Sequence, residues 1–172
     1  MAMNSPDALT ASRRLLRLLI GANLLLAFLI LVGLVASLAA PEWVFRALGA
    51  DPGNAEQKAG LRAIAVLGLV AAPLTHVVLS RLLSIVETVR AGDPFVEANA
   101  RRLRTIAWAV LGLEATHLLV GIAAAAGSSE GAPIDVDWSF SLTRWLVVLL
   151  LFVLARVFGH GTRMREDLEG TV

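Results

Sequence analysis

The sequence predicts an all-α membrane protein: a bundle of four transmembrane helices arranged as two antiparallel hairpins, with both termini in the cytoplasm. Hydrophobic residues make up 57% of the 172 residues, charged residues make up 17%, and the mean hydropathy is +0.74. A soluble domain is about 45–50% apolar and about 25% charged. Two further observations support the fold class, namely long uncharged segments and basic residues that collect on alternate connections.

Four segments are long and apolar enough to cross a ~30 Å hydrocarbon layer as helices, at ~1.5 Å per residue. In lipid, backbone polar groups must be satisfied within each segment, which favours helices. The fourth segment is the weakest candidate span, because only eleven uncharged residues separate Arg144 from Arg156. It can cross the membrane only if the two arginine side chains extend toward opposite interfaces. We therefore predict one membrane domain over 1–172, with spans at about 18–40, 63–84, 104–126 and 139–158.

The first span is expected to be retained as an anchor. A basic segment precedes it, and "ASLAAPE" after it offers small residues for signal-peptide cleavage. The apolar core of a signal peptide is only about 7–15 residues long, however, and the uncharged run here is much longer. Retention is therefore the better interpretation.

Arginine placement predicts the orientation. With the N-terminus inside, eleven of the fifteen basic residues face the cytoplasm, and Arg46, Lys58, Arg62 and Arg144 face outward. Cytoplasmic connections of membrane proteins carry an excess of Lys and Arg. Both termini are therefore predicted to be cytoplasmic, with the lipid bilayer as the first partner.

The connections include three helix-compatible stretches. "EWVFRAL" after the first span can form a short helix, and the tail 159–172 is either a helical extension or a peptide ligand. In the inner connection the turn lies near 91–94, with Gly92 at a helix C′ position, Asp93 at an N-cap and Pro94 in the first turn of the next helix. The resulting hairpin is either a plain connector or a docking surface formed by Arg90, Asp93, Phe95, Asn99, Arg101 and Arg102.

Ionisable side chains inside the spans are the strongest candidates for a site. Glu114 and His117 share one helix face, and His76 lies at a similar depth in the second span. A bare carboxylate in lipid is costly, so Glu114 is expected to be paired, protonated or both. Its first expected partner is His76, directly or through one water, and the second is His117. Arg144 is expected at a different depth. Asn23 in the first span is expected to bond a neighbouring helix.

The sequence contains no signature of catalysis. The absence of cysteine excludes disulfides and thiolate chemistry, and we find no phosphate-binding glycine loop or nucleophile motif. Glu114 and His117 match one half of a carboxylate di-metal site, but the other acids are missing. We therefore expect neither enzyme activity nor a metal or cofactor, and the net charge of +1 gives no reason to expect direct nucleic-acid binding.

The stretch "VETVRAGDPFVEANARRLRTIAWAVLGLE" and the ending "EDLEGTV" resemble the bacterial membrane-protein family called domain of unknown function 2975. The resemblance covers the chain from the first span to the C-terminus. It implies a multi-pass protein of the bacterial inner (plasma) membrane, with four transmembrane helices, cytoplasmic termini and a gene that often lies beside a small helix-turn-helix regulator. It implies no biochemical activity.

Two hypotheses follow. In the first, the protein is a non-enzymatic sensor or sequestration partner that binds a cytoplasmic transcriptional regulator through the hairpin and tail. In the second, it is a small transporter or permeation protein with a proton-linked site at Glu114, His76 and His117. The sequence leaves open the signal, the identity of the partner, and the choice between a monomer and a homo-oligomer.

Overall fold

The computed structural model describes residues 5–92, 96–129, 133–136 and 141–169. Within these ranges the chain is all-helical. The five helices are α1 (Ser5–Ala39), α2 (Pro41–Ala47), α3 (Ala55–Arg90), α4 (Glu97–Gly127) and α5 (Leu142–Glu169). Four of them, α1, α3, α4 and α5, are long and apolar enough to cross a membrane. The predicted all-α class with four long apolar helices is thereby confirmed, and α2 is the short helix expected in "EWVFRAL".

At the α3–α4 turn, the end of α3 agrees with the prediction and the start of α4 does not. The first helix ends at Arg90, and Gly92 follows with φ +87°, the left-handed conformation that glycine adopts at C′ without steric cost. The next helix begins at Glu97 rather than near Pro94, because Val96 has extended backbone angles and serves as the N-cap. The expected N-cap, Asp93, lies outside the described residues.

The long helices alternate in direction and pack mainly on their neighbours along the chain. Extensive contacts join α1 to α3, α3 to α4 and α4 to α5. The two ends of the molecule therefore differ. The hairpin end has the end of α3, the start of α4, the start of α1 and the end of α5, whereas the α2 end has α2 and, after α4, the described residue Ile134. The central helix α4 holds half of the buried apolar residues in the described structure, namely Leu103, Ile106, Ala107, Ala109 and Ala124.

At the α2 end, two glycines bring α3 and α4 into backbone contact. A Cβ atom added to Gly60 would lie 2.7 Å from the Cα atom of Gly127, and the side chain of Ile134 closes over both. Both glycines are buried. Only a residue without a side chain allows this approach, so these two positions fix the spacing of the two helices.

Candidate functional site

Glu114 is paired with Arg144 of the neighbouring helix α5. The Oε2 atom of Glu114 lies 3.8 Å from the Nε atom of Arg144, and the side chains are 14% and 35% exposed. The direct form of the expected hydrogen bond between Glu114 and His76 is not formed between these described residues. The carboxylate is therefore paired as predicted, but with the arginine that the sequence placed at a different depth.

The register of α4 and α5 explains this partner. Trp108 packs edge-on against Phe152 with ring centroids 5.3 Å apart, and Gly159 lies opposite Ala100. Continuing this antiparallel register places Leu142, the first residue of α5, near the level of Leu118, about two and a half turns short of the α2 end of α4. The sequence-based depth for Arg144 was wrong because it assumed that α5 begins level with the α2 end of α4.

Two buried histidine nitrogens have no hydrogen-bond partner among the described residues. They are Nδ1 of His76 and Nε2 of His117. His117 lies about one helical turn from Glu114 toward the α2 end. No group of three or more histidine, aspartate or glutamate residues that could hold a metal ion occurs in the described part of the chain. A functional role for the histidines stays a prediction.

Asn23 bonds a neighbouring helix, as predicted. Its Nδ2 atom donates a hydrogen bond of 3.0 Å to the backbone carbonyl of Ala72 in α3. Leu74 lies opposite Gly112, so Ala72 is at nearly the same level as Glu114. We call Asn23, Ala72, Glu114 and Arg144 the polar layer. These interactions join α1 to α3 and α4 to α5 at one depth.

A second polar group locks the α3–α4 hairpin. The side chain of Asn99 is fully buried and exchanges hydrogen bonds with the hydroxyl of Thr88, at 2.9 and 3.0 Å. Its Oδ1 atom also accepts a 2.7 Å hydrogen bond from Arg102, whose other contact is the carbonyl of Ser84 at 3.4 Å. We call these four residues the hairpin cluster.

The hairpin cluster changes the predicted docking surface. Asn99 cannot contact a partner because it is buried. Arg102 is half-buried, and its guanidinium donates hydrogen bonds to Asn99 and Ser84 within the hairpin. Arg90 and Arg101 are exposed, and Arg101 forms a surface ion pair of 2.7 Å with Glu97. Asp93 and Phe95 lie outside the described residues. Three further arginines that the docking prediction did not include are also exposed: Arg14, Arg81 and Arg104.

Sequence reasoning missed an ionic contact between α1 and the end of α3. Glu87 Oε1 lies 3.4 Å from Arg13 Nε and 3.9 Å from Arg17 Nη2. The spacing of the two arginines places them on one face of α1, which was the available signal. This contact fixes the start of α1 beside the hairpin end.

A family model described as Protein of unknown function (DUF2975) matches residues 38–172. The chain belongs to the DUF2975 family. No curated protein and no solved structure matches it. The DUF2975 match contains the hairpin cluster and the Glu114–Arg144 pair, whereas Asn23, Arg13 and Arg17 precede it. The family thus agrees with the resemblance noted in the sequence, and the site has to be interpreted from its own geometry.

Proposed function

We propose that the protein is a non-enzymatic protein of the inner membrane that binds a cytoplasmic protein at the arginine-rich hairpin end. The partner we propose is a helix-turn-helix regulator, as the family resemblance implies. The observation that carries the proposal is the hairpin cluster: buried Asn99 holds α3 and α4 together directly beside exposed Arg90 and Arg101.

A rigid basic surface suits this role for two reasons. A surface whose backbone is already fixed loses little conformational entropy when a partner binds. Clustered arginines also attract an acidic surface and accelerate its encounter with the protein. Arg101 and Arg104 lie nearly one helical turn apart on α4, and both are exposed.

Charge reversal at one exposed arginine tests the proposal. Arg101→Glu should weaken capture of the regulator encoded beside the gene by about 5-fold or more, since a repulsive charge replaces an attractive one. The matched control is Arg46→Glu at the α2 end, because Arg46 also forms an exposed ion pair with a glutamate four residues earlier. Capture is measured with both variants in native membranes. Equal capture by the two variants would contradict the proposal.

The unpartnered histidine nitrogens support a second candidate, proton-linked transport. A buried polar atom without a hydrogen bond is costly, and ionisable residues within a span often belong to an ion pathway. His76 and His117 lie on either side of the level of Glu114. In proteoliposomes, this candidate predicts a proton flux that Glu114→Gln abolishes. A flux equal to that of empty liposomes would remove it.

A further inference from the structure

A cavity of about 370 Å³ lies between α1, α2 and α3, toward the α2 end. Its walls are almost entirely apolar, and they include Ile30, Leu34, Val44, Phe45, Leu48 and Leu61. Pockets for small molecules in proteins have volumes of roughly 300–1,000 Å³, so this one is at the lower end of that range. The volume suits one hydrocarbon chain better than two.

Residues with small side chains line the part of the cavity farther from Arg62. Gly33 lines it from α1, and a Cβ atom added there would have no atom within 4 Å. On α3, Ala65 and Gly68 line the opposite wall, and Gly68 faces the side chain of Ile30. The cavity extends from Arg62 to Gly68, a distance of about 9 Å along the helix.

Arg62 supplies the charge in this apolar cavity. Its Nε atom donates to the hydroxyl of Ser37 at 3.3 Å, its Nη2 atom donates to the carbonyl of Ser37, and its guanidinium lies 5.5 Å from the ring centre of Phe45. No carboxylate among the described residues forms an ion pair with it. A guanidinium has five N–H donors, and these two bonds leave others for a ligand.

We infer that this cavity binds a single-chain amphiphile with a carboxylate headgroup, that is, a fatty acid. The carboxylate would accept hydrogen bonds from Arg62, and the chain would lie between Gly33 and Gly68. Arginine binds carboxylates well because its planar donors match the two oxygen atoms. Arg62 lies about 10 Å along α3 from the start of that helix, so the headgroup stays near the α2 end while the chain points toward the polar layer. This inference is independent of the proposed function.

Equilibrium binding of radiolabelled dodecanoate tests the inference. The full-length protein is reconstituted in phosphatidylcholine nanodiscs, and empty nanodiscs give the background from partitioning into lipid. We expect saturable binding that unlabelled dodecanoate displaces. Dodecanol, which lacks the charge, and acetate, which lacks the chain, should each compete at least about ten-fold less well, because each loses one of the two contacts.

Three variants separate the headgroup from the chain. Arg62→Gln should weaken dodecanoate binding by about ten-fold or more, and Arg62→Lys should retain part of the affinity by keeping the charge. Gly33→Leu fills the cavity, leaves the Arg62 contacts in place, and should abolish binding. The matched control is Gly21→Leu on the same helix. An added Cβ atom at Gly21 also has no atom within 4 Å, but Gly21 does not line the cavity.

Several results would overturn the inference. They are equal affinities of the wild-type and Gly33→Leu proteins, equal competition by dodecanol and dodecanoate, and binding no greater than that of empty nanodiscs. Phosphatidylglycerol nanodiscs provide a further test. If this anionic lipid displaces dodecanoate completely, the site belongs to a membrane phospholipid and the assignment to a fatty acid is wrong.

Discussion

Glu114 on α4 and Arg144 on α5 form an ion pair within two helices that are each apolar enough to span a membrane, with 3.8 Å between Oε2 and Nε. An unpaired charge within a membrane span costs several kcal/mol, so each side chain lowers the free-energy cost of burying the other. Extensive contacts join α5 only to α4, which makes this pair a principal polar link between α5 and the rest of the described structure.

We predict that the pair is energetically coupled. Glu114→Gln and Arg144→Gln should each lower the free energy of unfolding, and the double variant should be more stable than the sum of the two single effects by ~1 kcal/mol. Unfolding in mixed micelles measures this coupling. The exposed pair Glu97–Arg101 is the control, with an expected coupling below about 0.5 kcal/mol. Strict additivity at Glu114 and Arg144 would contradict the prediction.

The hairpin cluster should contribute strongly to stability. Asn99→Ala removes both hydrogen bonds to Thr88 and one acceptor of the Arg102 guanidinium at a buried site, and should cost about 1–3 kcal/mol of unfolding free energy. The Thr88 hydroxyl keeps the carbonyl of Ile85 as an acceptor. The control Thr105→Ala removes a hydroxyl that bonds only the carbonyl of Arg101 in its own helix, so it should change stability by less than about 0.5 kcal/mol. Equal effects of the two substitutions would show that the cluster is unimportant.

Close contact at the α2 end should make Gly127 intolerant of any side chain. In Gly127→Ala, the new methyl group would overlap the backbone of Gly60, so α3 and α4 must separate, at a cost of about 1–3 kcal/mol. Gly21→Ala meets no atom within 4 Å and should be neutral or slightly stabilising, because alanine favours helix. Thermal unfolding of both variants measures the difference. A neutral Gly127→Ala would mean that the two helices do not touch there.

Membrane orientation is predicted from the arginine distribution and can be tested directly. Reporter fusions at Asn54 and Ser129 should report an external location, and fusions at Gly92 and Val172 an internal one. The structure already places the α3–α4 turn and the end of α5 at one end of the molecule. Opposite locations for Gly92 and Val172 would contradict both the arginine-based orientation and a fourth membrane span.

The sequence by itself determined the number and type of the long helices, because the length of an apolar segment and the clustering of charge are local properties. It also determined a helix end where the backbone conformation depends on a single residue. Gly92 has the expected left-handed conformation after α3 ends at Arg90. Asn23 was assigned an interhelical hydrogen bond for an equally local reason, since a polar amide in a lipid-facing helix needs a partner.

Only the tertiary structure decided which residues meet across helices. Depth counted from the ends of the spans did not identify Arg144 as the partner of Glu114, because α5 begins about two and a half turns short of the α2 end of α4. The burial of Asn99, which the sequence placed on the docking surface, was likewise decided by packing. The cavity beside Arg62 could not be predicted either, because residues of α1, α2 and α3 form it together. Helical periodicity fixes the face and the spacing of side chains within one helix. The register between two helices depends on side-chain packing across a connection whose path the sequence leaves undetermined.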